Sequence, residues 1–270
     1  MISTYSLTFH RTFSLSRTSI SKVLSLAKNK PGFKTSELQL YTDLGTIYQE
    51  AMPRYASRAG LLEEKKNVLT PFGKTVAEHD PSLEKLDTQW LLHYHLAAPH
   101  GVTAFWHFLV RKRFLSGNIF TASDLVDDLK HFLLEHTGKT PAQDSIRSTA
   151  AIFSGTYLKS DGLGRLELLE QMQERTYRVG YPNPPSAQVI GYALTDYWKA
   201  HYDGRLTINL DDLTHGDFAA IFLLGEESLT QILLQLKQEG MLDLYRISHP
   251  YQVVLLQPEP ELALQRLYAR

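Results

Sequence analysis

The sequence predicts a mainly α protein with small β-hairpins, arranged as tandem winged-helix-like modules around a helical middle. Three observations lead there. Apolar residues recur at helical spacing through most of the chain. Two apolar runs, one near each end, are split by a charged or proline-containing turn in the manner of a hairpin. Pro- and Gly-rich breaks divide the 270 residues into stretches of ordinary domain size. The expected modules are a basic winged-helix-like module over 1–80, a helical middle domain over 81–180, and a C-terminal winged-helix-like module over 186–270.

The elements follow in chain order. Ile20, Val23, Leu24 and Ala27 form the stripe of a first helix, which Lys30-Pro31-Gly32 stops. Ser36 with Gln39 has the spacing of a capping box and opens a short second helix that Gly45 ends. A third helix is predicted over 47–59, closed by Gly60, with Pro53 inside the run as a kink or a start. Residues 61–64 and 68–70 read as two short strands around the charged turn Lys65-Lys66-Asn67, which completes three helices and a hairpin.

In the middle, 87–98 and 102–114 are apolar nearly all round, as buried helices are. Trp90, Leu91, Leu92, Tyr94, Phe105, Trp106 and Leu109 are the predicted central core. Thr121 with Asp124 caps an amphipathic helix through Leu125, Leu129, Phe132 and Leu133, and another helix is expected over 141–157 with Pro141 at its start. Asp161-Gly162-Leu163-Gly164 is a turn, and Tyr181-Pro182-Asn183-Pro184-Pro185 a linker. Beyond it come a helix through Ile190, Leu194, Tyr197 and Trp198, an extended segment over 206–210, a helix through Leu229, Ile232, Leu233 and Leu236, and a hairpin broken at His249-Pro250.

Composition narrows function. With 43% hydrophobic and 21% charged residues the chain is of ordinary globular type, and with no cysteine it offers neither disulfides nor thiolate metal sites, as suits a reducing cytoplasm. No leader-like or membrane-spanning apolar run stands in the sequence, so a cytoplasmic protein with no membrane partner is expected. The net charge of −1 conceals a division: residues 1–79 hold eleven Lys and Arg against six Asp and Glu. A basic contact module on a more acidic body is the implied organisation.

Within that segment Arg54 and Arg58, four residues apart, share a face of the third helix, and Lys65 and Lys66 crown the expected wing. Together they are the candidate DNA-binding set, with double-stranded DNA as the candidate partner. Cations at such positions neutralise phosphates and release counterions, and the third helix of a winged helix is the one offered to the major groove. The competing reading is a solvated face that serves a protein interface.

Signatures of catalysis are missing: no phosphate-binding glycine loop, nucleophile elbow or paired-histidine zinc motif is present. The expectation is a non-enzymatic protein without cofactors. A metal or acid–base role for His93, His95, His100 and His107 stands as an alternative, although His93 and His95, two residues apart, point to different faces of a helix. Asp124, Asp127 and Asp128, and likewise Asp211 and Asp212, are either a carboxylate site for magnesium or acidic first turns favoured by the helix dipole. Arg111-Lys112-Arg113 is either a phosphate patch or the cationic end of a helix.

Some of these residues also carry a resemblance. Phe9-His10-Arg11-Thr12-Phe13 is similar, in its His, Thr and Phe spacing, to a Phe-Ser-Gly-His-Glu-Thr-Phe opening, with the Gly absent and Arg11 in place of the acid. Asp80-Pro81-Ser82-Leu83-Glu84 followed by Thr88-Gln89-Trp90-Leu91-Leu92-His93-Tyr94 resembles an Asp-Pro-x-Leu-Glu and Thr-Leu-Trp-Leu-Leu-His-Trp segment. Gly191 to Trp198 and Ile221 to Glu226 show a weaker likeness. These segments resemble the bacterial family known as domain of unknown function 4007. That resemblance implies an accessory role in prokaryotic DNA modification, of the phosphorothioation type, or in phage defence. Other proteins of a defence system are then the implied partners, and no active-site residues carry over. Two functions stay open: a DNA-binding accessory or regulatory protein, and a winged-helix scaffold that binds other defence proteins.

Overall fold

In the computed structural model, which describes residues 7–139, 142–246 and 248–269, the chain forms two units. One comprises Met1–Ala97 with Gly101–Pro182, the other Ala98–His100 with Asn183–Arg270.

The first unit begins with α1 (Arg17–Asn29), α2 (Leu38–Tyr41), α3 (Thr46–Arg58) and α4 (Pro71–His79). Ile20, Val23, Leu24 and Ala27 of α1 are all buried, as their spacing requires, and the Ser16 hydroxyl caps the helix by accepting from the Ser19 N–H at 3.2 Å. The capping expected of Ser36 and Gln39 falls to Glu37 instead. Its carboxylate accepts from the Lys34 N–H and from Lys30 Nζ, and a short 3₁₀ turn, Thr35–Glu37, precedes α2. Pro53 lies inside α3 and does not begin it.

After α3 the chain turns at Gly60, whose φ of +79° and nearness to the His95 ring exclude a side chain: a Cβ there would lie 2.5 Å from the imidazole. The two strands expected over 61–70 reduce to one antiparallel bridge, Leu62 to Leu69. The Glu63 N–H donates to Val68 O, and Asn67 Nδ2 donates to Phe33 O, so the turn is held against the segment following α1. Gly73 in α4 packs so closely on this turn that a Cβ would stand 1.9 Å from Leu61 O.

The unit continues with α5 (Leu86–Ala97), α6 (Ala104–Arg113), β1 (Ile119–Thr121), α7 (Ala122–Thr137), α8 (Gln143–Leu158), β2 (Leu169–Gln173) and β3 (Thr176–Val179). The predicted central core is buried throughout; Leu91, Leu92, Tyr94, Phe105, Trp106 and Leu109 are fully enclosed. Thr121 and Asp124 form the expected capping box. Pro141, expected to start α8, lies outside the described residues. The strands are additions to the expected helical middle: β1, β3 and β2 form an antiparallel three-stranded sheet in that order, with β3 central.

Arg17 locks this unit from inside. Only 3% exposed, it donates Nε to Gly162 O, Nη1 to Leu83 O and the Glu84 carboxylate, and Nη2 to Ser160 O. Asp80 accepts from the N–H groups of Glu84 and Lys85, and Glu84 also pairs with Arg165 at 2.6 Å. The Asp80–Glu84 segment is thus a clasp between the start of α5 and the turn at 160–164.

The second unit contains α9 (Ala187–His201), β4 (Thr207–Asn209), α10 (Leu210–Thr214), α11 (Asp217–Ile221), α12 (Glu226–Gln238), β5 (Leu242–Tyr245), β6 (Gln252–Leu255) and α13 (Pro260–Tyr268). The expected hairpin is present as β5 and β6, and β4 joins β6 to make a sheet of order β4-β6-β5. A helix not anticipated from the sequence, α13, buries Ala263, Leu264, Leu267 and Tyr268 and packs on α9.

Each unit thus holds a helix, a strand, helices and two closing strands in the same order, and in both sheets the first strand pairs with the last. The molecule is mostly helical with two small antiparallel sheets. Among the described residues no single helix is long and apolar enough to cross a membrane.

Candidate nucleic-acid-binding groove

Arg54 and Arg58 stand on successive turns of α3, so the helix repeat alone brings them to one side. The turn at 62–69 folds back beside that side because Gly60 reverses the chain there. The result is a groove of about 690 Å³ lined by Arg54, Arg58 and Lys65, to which Arg11, Thr35 and Ser36 also contribute. Three of the four candidate residues therefore meet in one depression. Lys66 does not line it, and pairs with Glu63 at 2.7 Å, a hydrogen bond that raises its pKa.

The cations of the groove differ in their engagement. The Arg58 side chain is 7% exposed; Nη1 lies 3.5 Å from Glu64, and the guanidinium sits 5.9 Å from the centre of the Phe9 ring. Burial pulls its pKa below the usual arginine value, with Glu64 acting in the opposite sense and Arg54 reinforcing the fall. Arg11 is paired with Glu50 at 2.6 Å. Arg54 and Lys65 form no ion pair among the described residues, so the groove's uncompensated positive charge rests on these two. Lys65 has φ +64°, which gives it a different direction from its neighbour Lys66.

Sequence reasoning missed Arg11, which reaches the groove from the N-terminal segment beside the 3₁₀ turn Thr8–His10. Its signal was its place as the one charge departure in the Phe9–Phe13 motif. His10, next to it, is buried, shares a hydrogen bond with Thr149 Oγ1 at 3.1 Å, and leaves Nδ1 without a partner. Burial lowers its pKa to about 4.

The other candidates take structural places. His93 Nδ1 shares a hydrogen bond with the Tyr157 hydroxyl at 2.9 Å, deep in the first unit. The His95 ring lies tilted against that of Phe72, centroids 5.2 Å apart, and His107 donates Nδ1–H to Ala97 O at 2.7 Å. In the second unit His100 bridges Asp196 and His201, each at 3.1 Å. Among the described residues no three His, Cys, Asp or Glu side chains are grouped to hold a metal. Asp124 closes its capping box, Asp127 pairs with Lys130, and Asp128 is buried between Lys112 and Arg113. The Lys112-Arg113 end of α6 is therefore spent on a carboxylate of α7. Asp211 and Asp212 lie in the first turn of α10.

No curated protein matches the chain. Among solved structures, a magnesium-bound crystal structure of SspB is similar with a TM-score of 0.81 and 18% sequence identity, covering 97% of this chain and 87% of that one. A second crystal structure of SspB is similar with a TM-score of 0.79 and 20% identity over the same shares. At such identities the likeness concerns the fold. Residues 7–267 match the model of the family described as protein of unknown function DUF4007, and the chain belongs to that family.

Proposed function

We propose that the protein is a non-enzymatic, cytoplasmic DNA-binding accessory or regulatory protein of a prokaryotic DNA-modification or phage-defence system. The observation that carries this reading is the groove beside α3, where Glu50 and Glu64 pair with Arg11 and Arg58 and, among the described residues, Arg54 and Lys65 form no ion pair. In this reading the modules are winged helices. A helix, a strand, two further helices in residues 104–179 or three in 187–255, and two closing strands, with first and last strands paired, support that assignment in both stretches, and the α1–α3 helices with the turn at 62–69 form a reduced version. A helix and an adjoining turn then straddle the duplex backbone.

Magnesium, present in one SspB structure, does not fit the carboxylates of α7, because Asp128 is paired with Lys112 and Arg113, Asp127 with Lys130, and Asp124 is held in its capping box by the Thr121 N–H and hydroxyl. No step of the proposed function runs through a metal.

Anisotropy titration with duplex DNA between roughly 50 and 200 mM salt tests the proposal. If Arg54 and Lys65 each meet a phosphate, the log of affinity falls with the log of salt at a slope of about −2 or steeper, and Arg54→Ala or Lys65→Ala each flattens it by about 0.9. Absence of binding at low salt by folded protein discards the DNA reading. The scaffold reading then replaces it, favoured by Leu40, Tyr41 and Ile47, which are 72%, 58% and 52% exposed at the edge of the same region.

A further inference from the structure

The groove beside α3 supplies charge and one exposed amide, Gln39, while the Gln49 and Asn67 amides on its lining are already bonded to the carbonyls of Leu44 and Phe33. A second groove of the first unit, about 980 Å³, lies between α7, α8 and the turn joining β2 to β3. Its floor is the outward stripe of α8. Gln143, Arg147 and Ala151 follow at intervals of four residues and are all exposed, with Ala150 beside them. Buried neighbours on the opposite side of the helix, Ile146, Thr149 and Phe153, fix which face is outward.

The chemistry of that stripe is selective. Gln is the side chain that pairs in bidentate fashion with adenine, Arg the one that does so with guanine, and an alanine methyl packs against the methyl group of thymine. The small residues also let the helix backbone approach a partner closely. Lys130 from α7 and Arg175 from the β2–β3 turn flank the stripe, where they can meet phosphates on either side of a reading helix. Their ion pairs are local and exposed: Lys130 with Asp127 at 3.2 Å, Arg175 with Glu174 at 3.8 Å, and Arg147 with Asp144 at 4.0 Å. Such exposed pairs hold weakly and exchange readily for phosphate or base contacts.

We infer that α8 is the base-reading element of this protein, with Arg147 and Gln143 as its specificity-determining residues, while the groove beside α3 is the sequence-independent anchor. This rests on the DNA-binding reading and adds to it where the sequence preference resides.

The test is selection of bound duplexes from a randomised double-stranded library, by wild type, Gln143→Ala, Arg147→Ala and Arg54→Ala, followed by titration with the enriched duplex and a scrambled one. Wild type is expected to enrich a motif. Arg147→Ala should lose preference at one base pair, with affinity for the enriched duplex roughly 5- to 150-fold lower and affinity for the scrambled one little changed. Arg54→Ala should weaken both duplexes alike and keep the motif. All three substituted side chains are solvent-accessible in part or whole, and thermal melting confirms that each variant is folded. If wild type binds DNA without enriching a motif, or both α8 variants enrich the wild-type motif, the inference is overturned while the anchor stands. If wild type binds no duplex, the DNA-binding reading fails and takes the inference with it.

Discussion

Around Tyr157 and beside α3, polar side chains are set in opposite conditions. At Tyr157, the Trp106 indole N–H donates to the hydroxyl at 2.7 Å, His93 completes the group at 2.9 Å, and Phe114 and Phe153 close over it. These polar atoms have partners inside the protein, and burial drives the Tyr157 pKa upward. In the groove, Arg54 and Lys65 form no ion pair among the described residues, while Arg58, one turn along the helix, is buried and paired. The difference separates groups whose energy is spent on folding from groups still available to a ligand. It also places that border inside one helix, between Arg54 and Arg58.

The strongest test of the folding side is Trp106→Ala. It removes a fully buried ring and a hydrogen bond from Tyr157, and should destabilise the protein by about 3–5 kcal/mol in urea unfolding. A variant as stable as the parent would mean that this cluster is not the core of the first unit.

His10 gives an effect of about 3 kcal/mol, read through pH. Its pKa is 6.5 when unburied and about 4 in the folded protein. Above pH 6.5 both states are neutral and the group is indifferent. As pH falls from 6.5 toward 4 the unfolded chain takes up a proton that the folded chain refuses, so stability is lost on acidification. Wild type should lose about 3 kcal/mol more than His10→Gln between pH 7 and 4. Parallel losses in the two proteins would show that the imidazole is solvated or partnered in the native state.

The smallest effect sharpens the border itself. Arg58→Ala should destabilise by about 1–3 kcal/mol, through lost packing on Phe9 and an abandoned Glu64, whereas Arg54→Ala should stay within about 0.5 kcal/mol. Equal losses in thermal or urea melts would erase the distinction between the two arginines.

What the sequence made legible follows from where the deciding contacts lie. The stripe Ile20, Val23, Leu24, Ala27 announces α1 because one face of one helix is a local matter. Strand β2 was hidden because, of Leu169–Gln173, Leu169 alone is buried, which leaves no alternation to detect. Helix α13 was not anticipated, although Pro260 opens it at a position where a proline is tolerated. In the groove, four-residue spacing was enough to put Arg54 and Arg58 on one side. It could not show that Phe9 and Glu64, from distant parts of the chain, would bury one and leave the other. Lys65 and Lys66 looked like one crown, but adjacent residues with different backbone directions serve different ends.

The shared order of the two sheets has a consequence for how the chain is made. In each, the central strand is the last to leave the ribosome: Ile119 of β1 awaits Arg178 of β3, and Thr207 of β4 awaits Val254 of β6. At about 5–20 residues per second, the nascent chain carries an unmatched strand for roughly 2–12 s in each case. The first strand of each sheet finds its partner only when the closing hairpin, β2–β3 or β5–β6, has emerged, so translation pauses placed before Thr176 or Gln252 would hold a half-built module open to aggregation.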